Sequence, residues 1–113
     1  MTGHQDRTPT AFEERVYDWI SMIPRGRVAT YAAVGKGVGC GSAQAIGQAL
    51  KRNPGAPAVP CHRVIKSDLT LGGYSGEKSG PEVMRKVRLL AAEGVEFDQE
   101  GRLTNSALVW LGD

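Results

Sequence analysis

The chain has 113 residues, of which 41% are hydrophobic and 23% charged, and this favours one folded domain over residues 1–113 with a core of its own. Two cysteines and the lack of a signal peptide or long apolar span argue against a disulfide-rich secreted protein and against a membrane protein. We therefore expect a monomer in a reducing cytoplasm, with thiols at Cys40 and Cys61 and a flexible N-terminus over residues 1–9. No metal is expected, because the Cys and His residues lack the spacing of a metal site.

The net charge is only +2, but the basic residues are unevenly distributed. The segment from Trp19 to Ser67 contains no Asp or Glu and has seven basic residues: Arg25, Arg27, Lys36, Lys51, Arg52, Arg63 and Lys66. Such a segment attracts polyanions such as a phosphate backbone. The alternative is a basic face that contacts only solvent.

The first predicted element is a helix that begins after Thr10. Thr10 and Glu13 have the spacing of a capping box. Hydrophobic residues then recur at helical spacing until Pro24 and Gly26 end the helix, namely Phe12, Val16, Trp19, Ile20 and Ile23. This spacing predicts that the aromatic residues belong to the core and not to a cofactor site.

Two short helices around a glycine-rich turn are predicted next. After a short extended segment at Arg27–Ala29, Thr30 can cap a helix over about residues 31–37. A tight turn at Gly39–Gly41 leads to Ser42, which can cap a second helix from Ala43 to about Arg52. Since both helices lie in the acid-free segment, the pattern suggests a helix-turn-helix, although any helical hairpin gives a similar pattern.

The second of these helices has two distinct faces. Ala43, Ile46 and Leu50 form the predicted buried stripe, and Gln44, Gln48 and Lys51 share the opposite face. Gly47 costs about 1 kcal/mol of helix stability relative to Ala. We expect it to permit close approach of either the first helix or a DNA backbone.

The tetrad Pro60-Cys61-His62-Arg63 sets a potential nucleophile beside a potential base. Only the thiolate form of cysteine attacks carbon well, so a reactive cysteine needs a nearby proton acceptor or positive charge. His62 and Arg63 supply both. The alternative is that Cys61 is a small buried hydrophobe.

The rest of the chain is predicted to hold one more helix and a hairpin. The glycine-rich residues 71–80 form either a lid or a mobile surface loop. An amphipathic helix begins at Pro81, has its apolar residues at Val83, Val87, Leu90 and Ala91, and ends at Glu93-Gly94. Residues 95–97 and 102–103 form the hairpin, and Trp110 packs back on the core. The fold class is therefore α+β, mostly helical.

Five blocks of this sequence, in this order, resemble the active-site domain of the O6-alkylguanine-DNA alkyltransferases and the related alkyltransferase-like proteins. The resemblance spans about residues 12–97. It rests on Ile23–Tyr31, Ile46–Pro54, Pro60–Ile65, Gly72–Gly76 and Leu89–Gly94. It implies a winged-helix-like helix-turn-helix that binds duplex DNA, in the nucleoid or in a nucleus. It also implies the activity of a methylated-DNA-[protein]-cysteine S-methyltransferase, which acts once and uses no organic cofactor.

The resemblance assigns chemical roles to individual residues. Cys61 matches the acceptor of the alkyl group, His62 the base that removes the thiol proton through a water, and Glu93 the acid that holds the imidazole. Asn53 matches the residue that braces the active-site turn. Tyr31 matches a tyrosine that favours rotation of the nucleotide out of the duplex and protonates guanine N3.

The resemblance also implies a guanine pocket and a DNA surface. Leu50 and Tyr74 would line the pocket, Ser75 in the Tyr74–Gly76 lid would donate to O6, and the carbonyls of Cys61 and Val64 would accept from the exocyclic amine. The second helix would enter the minor groove through small residues that allow close approach. The predicted DNA contacts are Ser42, Ala43, Gln44, Gly47, Gln48, Lys51 and Arg63, although Arg63 also matches a structural arginine.

Two departures from the family pattern leave two other functions open. Gln44 stands where the family usually has an arginine that fills the gap left by the flipped base. The short chain, with no N-terminal domain before the active-site domain, is similar to the alkyltransferase-like proteins, which typically have Trp in place of the cysteine. Those proteins bind alkylated DNA without repair and recruit nucleotide excision repair proteins. The third hypothesis is a regulator that reads sequence through Gln44 and Gln48.

Overall fold

The computed structural model describes residues 8–55, 58–73 and 80–112, and the first helix begins at the predicted capping box. The Thr10 hydroxyl accepts from the Glu13 backbone N–H at 3.1 Å, and the Glu13 carboxylate accepts from the Thr10 N–H at 3.1 Å. Helix α1 then runs over Ala11–Ile20. It ends earlier than predicted, because Met22 and Ile23 form tighter i→i−3 turns before Pro24, and Ile23 is buried in the core.

The predicted helix-turn-helix is present. Helix α2 spans Tyr31–Val38 after its cap Thr30, and helix α3 spans Ala43–Lys51 after its cap Ser42. Gly39 ends α2 in the left-handed conformation, with φ of 74°, which glycine adopts without steric cost.

A short parallel strand pair joins the helix-turn-helix to the Pro60–Arg63 tetrad. Strand β1 (Ala29–Thr30) pairs with strand β2 (Val64–Ile65), with Ala29 opposite Val64. Helices α2 and α3 form the connection between the two strands. The strand pair therefore fixes the start of α2 beside the residues that follow Cys61.

Helix α4 spans Pro81–Ala92 and is followed by the predicted reversal of the chain. The hairpin is reduced to a single antiparallel bridge between Phe97 and Leu103. A 3₁₀ turn at Ser106–Leu108 precedes Val109, which forms a parallel bridge with Val28.

Trp110 packs on the core as predicted, with its ring centroid 5.1 Å from that of Trp19. Two clusters of buried side chains make up the core. One contains residues of α1, α2 and α3 together with Cys61, Val64 and Trp110. The other contains Val28, Ile65, Leu90, Val95 and Leu103.

Two expectations about α3 are corrected by the structure. Ala43 was expected in the buried stripe but is exposed, and Ala49 is buried with Ile46 and Leu50, because the packing of α1 and α2 against α3 decides which side of the helix is buried. Among the described residues, a Cβ built on Gly47 meets no atom within 4 Å, so Gly47 does not serve close packing against the first helix. In the part of the chain that the structure describes, no helix has the length and apolar character needed to span a membrane.

Candidate active site

The tetrad folds into a 3₁₀ turn that holds Cys61 and His62 in the protein interior. The turn spans Cys61–Arg63 and leads directly into β2. The Cys61 N–H donates to the Val59 carbonyl at 2.8 Å, and the Arg63 N–H donates to the Pro60 carbonyl at 2.9 Å. Cys61 is 7% exposed and His62 is 2% exposed. Cys61 and His62 are therefore adjacent residues on one buried turn.

Glu93, at the end of α4, is the centre of the polar network behind this turn. Its carboxylate accepts two hydrogen bonds from the Arg63 guanidinium, both at 2.9 Å, and one from the Gly26 N–H at 3.3 Å. His62 Nε2 lies 2.9 Å from Glu93 Oε2, and the more exposed Arg25 lies 3.9 Å from the same oxygen. Burial alone would raise the pKa of Glu93. The hydrogen bonds from Arg63, His62 and Gly26 outweigh burial and lower this pKa to about 2.

The contact with Glu93 fixes the tautomer of His62. Burial lowers the pKa of His62, and this effect outweighs the hydrogen bond to Glu93 that raises it, so the imidazole is neutral near pH 7. An ionised carboxylate only accepts hydrogen bonds, so the single N–H of the neutral ring lies on Nε2. His62 Nδ1 is buried and has no hydrogen-bond partner among the described residues. Its lone pair is therefore available as a proton acceptor.

Tyr31, at the first position of α2, packs against the core cluster that contains Cys61. Burial raises the pKa of Tyr31, and negative charge on Cys61 raises it further. The phenol therefore stays protonated at neutral pH and lies within electrostatic range of the thiol. These two properties suit a proton donor.

Asn53 links the end of α3 to the chain that leads into the tetrad. Its Nδ2 donates to the Val59 carbonyl at 2.8 Å, and its Oδ1 accepts from the Gly55 N–H at 2.9 Å. The same Val59 carbonyl accepts from the Cys61 N–H. Asn53 thus has the geometry that a brace of the active-site turn requires.

Lys86 is a site residue that the sequence analysis missed. It is 1% exposed, and its Nζ donates to the carbonyls of Val64 at 2.8 Å, Leu71 at 2.7 Å and Gly73 at 3.1 Å. Burial lowers the pKa of Lys86 to about 7, and negative charge on Cys61 opposes this effect. Helical spacing contained the signal, since Lys86 lies three residues after Val83 and four before Leu90 on the predicted buried face.

The two predicted pocket residues nearest the tetrad are both buried. Leu50 is 8% exposed and Val64 is 1% exposed, and both belong to the core cluster of Cys61. The Val64 carbonyl already accepts from Lys86, and the Cys61 carbonyl accepts from the Val64 N–H. Each carbonyl keeps a second lone pair, so both stay predicted acceptors. The predicted lid residues Tyr74, Ser75 and Gly76, like residues 1–7 of the expected flexible N-terminus, lie outside the described residues.

An open cavity of about 890 Å³ lies between the helix-turn-helix and the chain that follows β2. Three residues predicted from sequence line it: Tyr31, Ala43 and Gly47. Ser67 also lines the cavity, and its hydroxyl accepts from the Ala32 N–H near the start of α2 at 3.4 Å. The predicted base-rotating tyrosine and the start of α3 therefore lie at one opening. Among the described residues, Cys61, Leu50 and Val64 do not line this cavity.

The predicted DNA surface is largely exposed. Ser42, Ala43, Gln44, Gln48 and Lys51 are exposed around α3. Arg63 is different, because its guanidinium binds Glu93 and also donates to the Ile23 carbonyl at 2.9 Å. Its assignment to the DNA surface is corrected to a structural role. Both cysteines are free thiols, and no cluster of three potential metal ligands occurs within residues 8–55, 58–73 and 80–112.

Comparison with known proteins identifies the family. Residues 11–95 match the model of the DNA-binding domain of 6-O-methylguanine DNA methyltransferase. The methylated-DNA–protein-cysteine methyltransferase of Methanothermobacter thermautotrophicus is 45% identical over 89 residues, which are 79% of this chain and 47% of that protein. This chain thus spans about half the length of that curated relative.

Two solved structures support the same assignment. The O6-methylguanine-DNA methyltransferase of Pyrococcus kodakaraensis superposes with a TM-score of 0.66 at 41% identity, over 76% of this chain and 47% of that chain. Atl1 of S. pombe, in complex with damaged DNA containing O6-carboxymethylguanine, superposes with a TM-score of 0.74 at 30% identity, over 92% of this chain and 98% of that chain. The chain belongs to the O6-methylguanine DNA methyltransferase family, which it matches over the DNA-binding domain.

Proposed function

We propose that this protein binds duplex DNA and transfers the alkyl group of O6-alkylguanine irreversibly to Cys61. The observation that carries the proposal is the 2.9 Å contact between Glu93 and His62 Nε2 beside the buried Cys61 thiol. This contact gives His62 the tautomer of a base. Curated relatives at 40–45% identity are named as methyltransferases of this type, which supports the same reaction.

The proposed step is a single displacement at the alkyl carbon. His62 takes the proton of the Cys61 thiol, through a water, and the thiolate sulfur forms a bond to the alkyl carbon. The bond between this carbon and guanine O6 breaks, and its electron pair goes to the base. Tyr31 protonates guanine N3 as negative charge develops, and the proton removed from the thiol restores the phenol. The products are S-alkylcysteine and an unmodified guanine, so each protein molecule acts once.

The substrate has to leave the duplex before it reaches Cys61. A base within a duplex is inaccessible, and flipping it costs a few kcal/mol, less for a damaged pair. The exposed side of α3 presents small or uncharged residues at its start, Ser42, Ala43 and Gln44, and the cavity opens beside Tyr31 and Ala43. This arrangement supports entry of α3 into the minor groove with the flipped base directed to the cavity.

The intact mass of the protein tests the proposal directly. After incubation with a duplex containing one O6-methylguanine, the native protein should gain the mass of one methylene group at one equivalent of DNA, and peptide mapping should place it on Cys61. The Cys61→Ala variant should gain nothing. A native protein that gains no mass while it binds the lesion tightly would contradict alkyl transfer.

The second candidate is a damage sensor that binds alkylated DNA without repair and recruits nucleotide excision repair proteins. It is favoured by the similarity to S. pombe Atl1, of which this chain covers 98%. A sensor binds the lesion in preference to undamaged duplex even as Cys61→Ala. The mass measurement separates the two candidates, because only the transferase forms S-methylcysteine.

A further inference from the structure

Two buried polar side chains on α1 contact the C-terminal end of α3. The Tyr17 hydroxyl donates to the Ala49 carbonyl at 2.7 Å, and Glu13 Oε2 accepts from Arg52 Nη1 at 3.4 Å. Tyr17 is 7% exposed and Glu13 is 4% exposed. They lie four residues apart, on one side of α1. Neither belongs to the candidate active site.

The contact from Tyr17 satisfies a carbonyl at the end of a helix. The last carbonyls of an α-helix have no i+4 donor within the helix. The Asn53 N–H, which would be the i+4 donor for Ala49, instead donates to the Leu50 carbonyl at 3.2 Å. The Ala49 carbonyl shares the Arg52 N–H with its neighbour Gln48, at 3.2 Å for each, and gains a short second hydrogen bond from Tyr17.

Glu13 contacts Arg52, the C-cap residue of the same helix. Its carboxylate is held by the capping contact to Thr10 while it faces Arg52, the C-cap of α3. A buried carboxylate with a fixed position orients the guanidinium more strictly than a mobile surface acid. Tyr17 and Glu13 thus tie the last turn of α3 to α1, Tyr17 through a backbone carbonyl and Glu13 through the Arg52 side chain.

A continuous set of hydrogen bonds leads from this helix end to the nucleophile. Asn53 follows Arg52 and donates to the Val59 carbonyl at 2.8 Å, and that carbonyl accepts from the Cys61 N–H at 2.8 Å. A shift of the end of α3 would therefore displace Asn53 first and Cys61 next.

We propose that Tyr17 and Glu13 are positioning residues that couple the DNA-facing helix α3 to the Cys61 turn. Their effect on alkyl transfer rests on the proposed function, whereas their effect on the Cys61 turn does not. A displacement of about 1 Å at the reacting atoms is enough to lower a rate strongly, so small movements of this support have chemical consequences.

The test compares Tyr17→Phe and Glu13→Gln with Ile20→Val. Ile20 is fully buried on the same helix but belongs only to the hydrophobic core, so its variant loses stability without a change at the end of α3. Tyr17→Phe should lower the rate constant of methyl transfer at saturating O6-methylguanine duplex by about threefold to tenfold, the worth of one hydrogen bond. Amide hydrogen exchange at Asn53 and Cys61 should become faster in the same variant. Glu13→Gln should show both effects to a smaller extent.

Ile20→Val should leave the saturating rate and the exchange of these two amides unchanged relative to the global exchange of the protein. Tyr17→Phe and Glu13→Gln variants that behave like Ile20→Val in both measurements would overturn the coupling. If the native protein transfers no methyl group, the proposed function fails and the exchange comparison still decides the coupling. Glu13→Gln keeps the size of the side chain, so it provides the answer should Tyr17→Phe not fold.

Discussion

The ionised state of Glu93 is a property of a single residue that stability measurements can detect. The carboxylate has a pKa of about 2 in the folded protein, against an ordinary value of 4.5. A carboxyl group of this kind stabilises the fold above the ordinary pKa, and the contribution is lost as the pH falls toward the folded value. Glu93 is thus expected to contribute about 3 kcal/mol at neutral pH and progressively less from about pH 4.5 to pH 2.

Replacement of Glu93 by Gln should remove this dependence. The variant leaves the partly buried Arg63 guanidinium without a counterion, so it should be less stable than the native protein at pH 7. The difference in free energy of unfolding between the two proteins should shrink as the pH falls from about 4.5 to 3. Urea denaturation across this range measures it, and a constant difference would show that Glu93 is not ionised in the way that its contacts imply.

Lys86 should change the stability of the protein in the same direction, but in a neutral to alkaline range of pH. Its pKa of about 7 in the folded protein lies below the ordinary value of 10.5, because burial disfavours the ammonium ion. Between these two values the unfolded chain binds more protons, so the free energy of unfolding rises with pH. The native protein should gain about 2 kcal/mol from pH 7 to pH 9 relative to Lys86→Met. Parallel pH profiles in urea denaturation would contradict this account.

The same titration has a structural consequence at the carbonyls that Lys86 holds. An ammonium group has three N–H donors for the carbonyls of Val64, Leu71 and Gly73, whereas a neutral amine has two. Deprotonation therefore leaves one of the three carbonyls without this donor. The residue thus links β2 to the chain that borders the cavity in a way that depends on its charge.

Gly47 affects both the stability of helix α3 and the proposed contact of this helix with DNA. A methyl group added there meets no atom of residues 8–55, 58–73 and 80–112 within 4 Å, so Gly47→Ala should stabilise the helix by about 0.5 to 1 kcal/mol. The same methyl group lies beside the cavity and on the proposed approach of DNA, so the affinity for duplex DNA should fall. Thermal unfolding and a DNA titration of the same sample measure these two effects. A variant that is more stable and binds DNA equally well would remove the reason for a glycine at this position.

The starts of the helices were predictable from sequence, and the reason is that capping is local. Thr10, Thr30 and Ser42 each accept from a backbone N–H three residues later, which depends on the neighbouring residues alone. The end of α1 and the burial of Ala43 were predicted wrongly, since both depend on packing against other elements. The pairing of β1 with β2 was not predicted, because each strand contributes only two residues and its partner is distant in sequence.

In the candidate site, too, the residues evident from sequence are those whose partners are close in the chain. Cys61 and His62 are adjacent in sequence, so the nucleophile and base were evident from the tetrad, and Glu93 was matched only through the family resemblance. Lys86 was missed, because a lysine on an apolar helix face gains its meaning only when distant carbonyls converge on it. Tyr17 was missed for a similar reason, since its partner Ala49 lies 32 residues away.

Fewer basic residues of the acid-free segment are available to DNA in the folded protein than the sequence suggests. Four of the seven basic residues between Trp19 and Ser67 form contacts within the protein: Arg25, Arg27, Arg52 and Arg63. The ammonium groups of Lys36, Lys51 and Lys66 are on exposed residues and form no hydrogen bond or salt bridge with the rest of the described chain. Within this segment, the charges free to neutralise phosphates are therefore mainly those of the three lysines.

This count predicts the salt dependence of DNA binding. Each neutralised phosphate contributes about −0.9 to the slope of the logarithm of the association constant against the logarithm of salt concentration. Three lysines give a slope of about −3, and all seven basic residues would give about −6. Titration of an undamaged duplex at several salt concentrations measures the slope, and each single Lys→Gln variant should reduce it by about one unit. A slope near −6 would mean that the arginines exchange their internal contacts for phosphates, and the Glu13–Arg52 contact at the end of α3 would then break whenever the protein is bound to DNA.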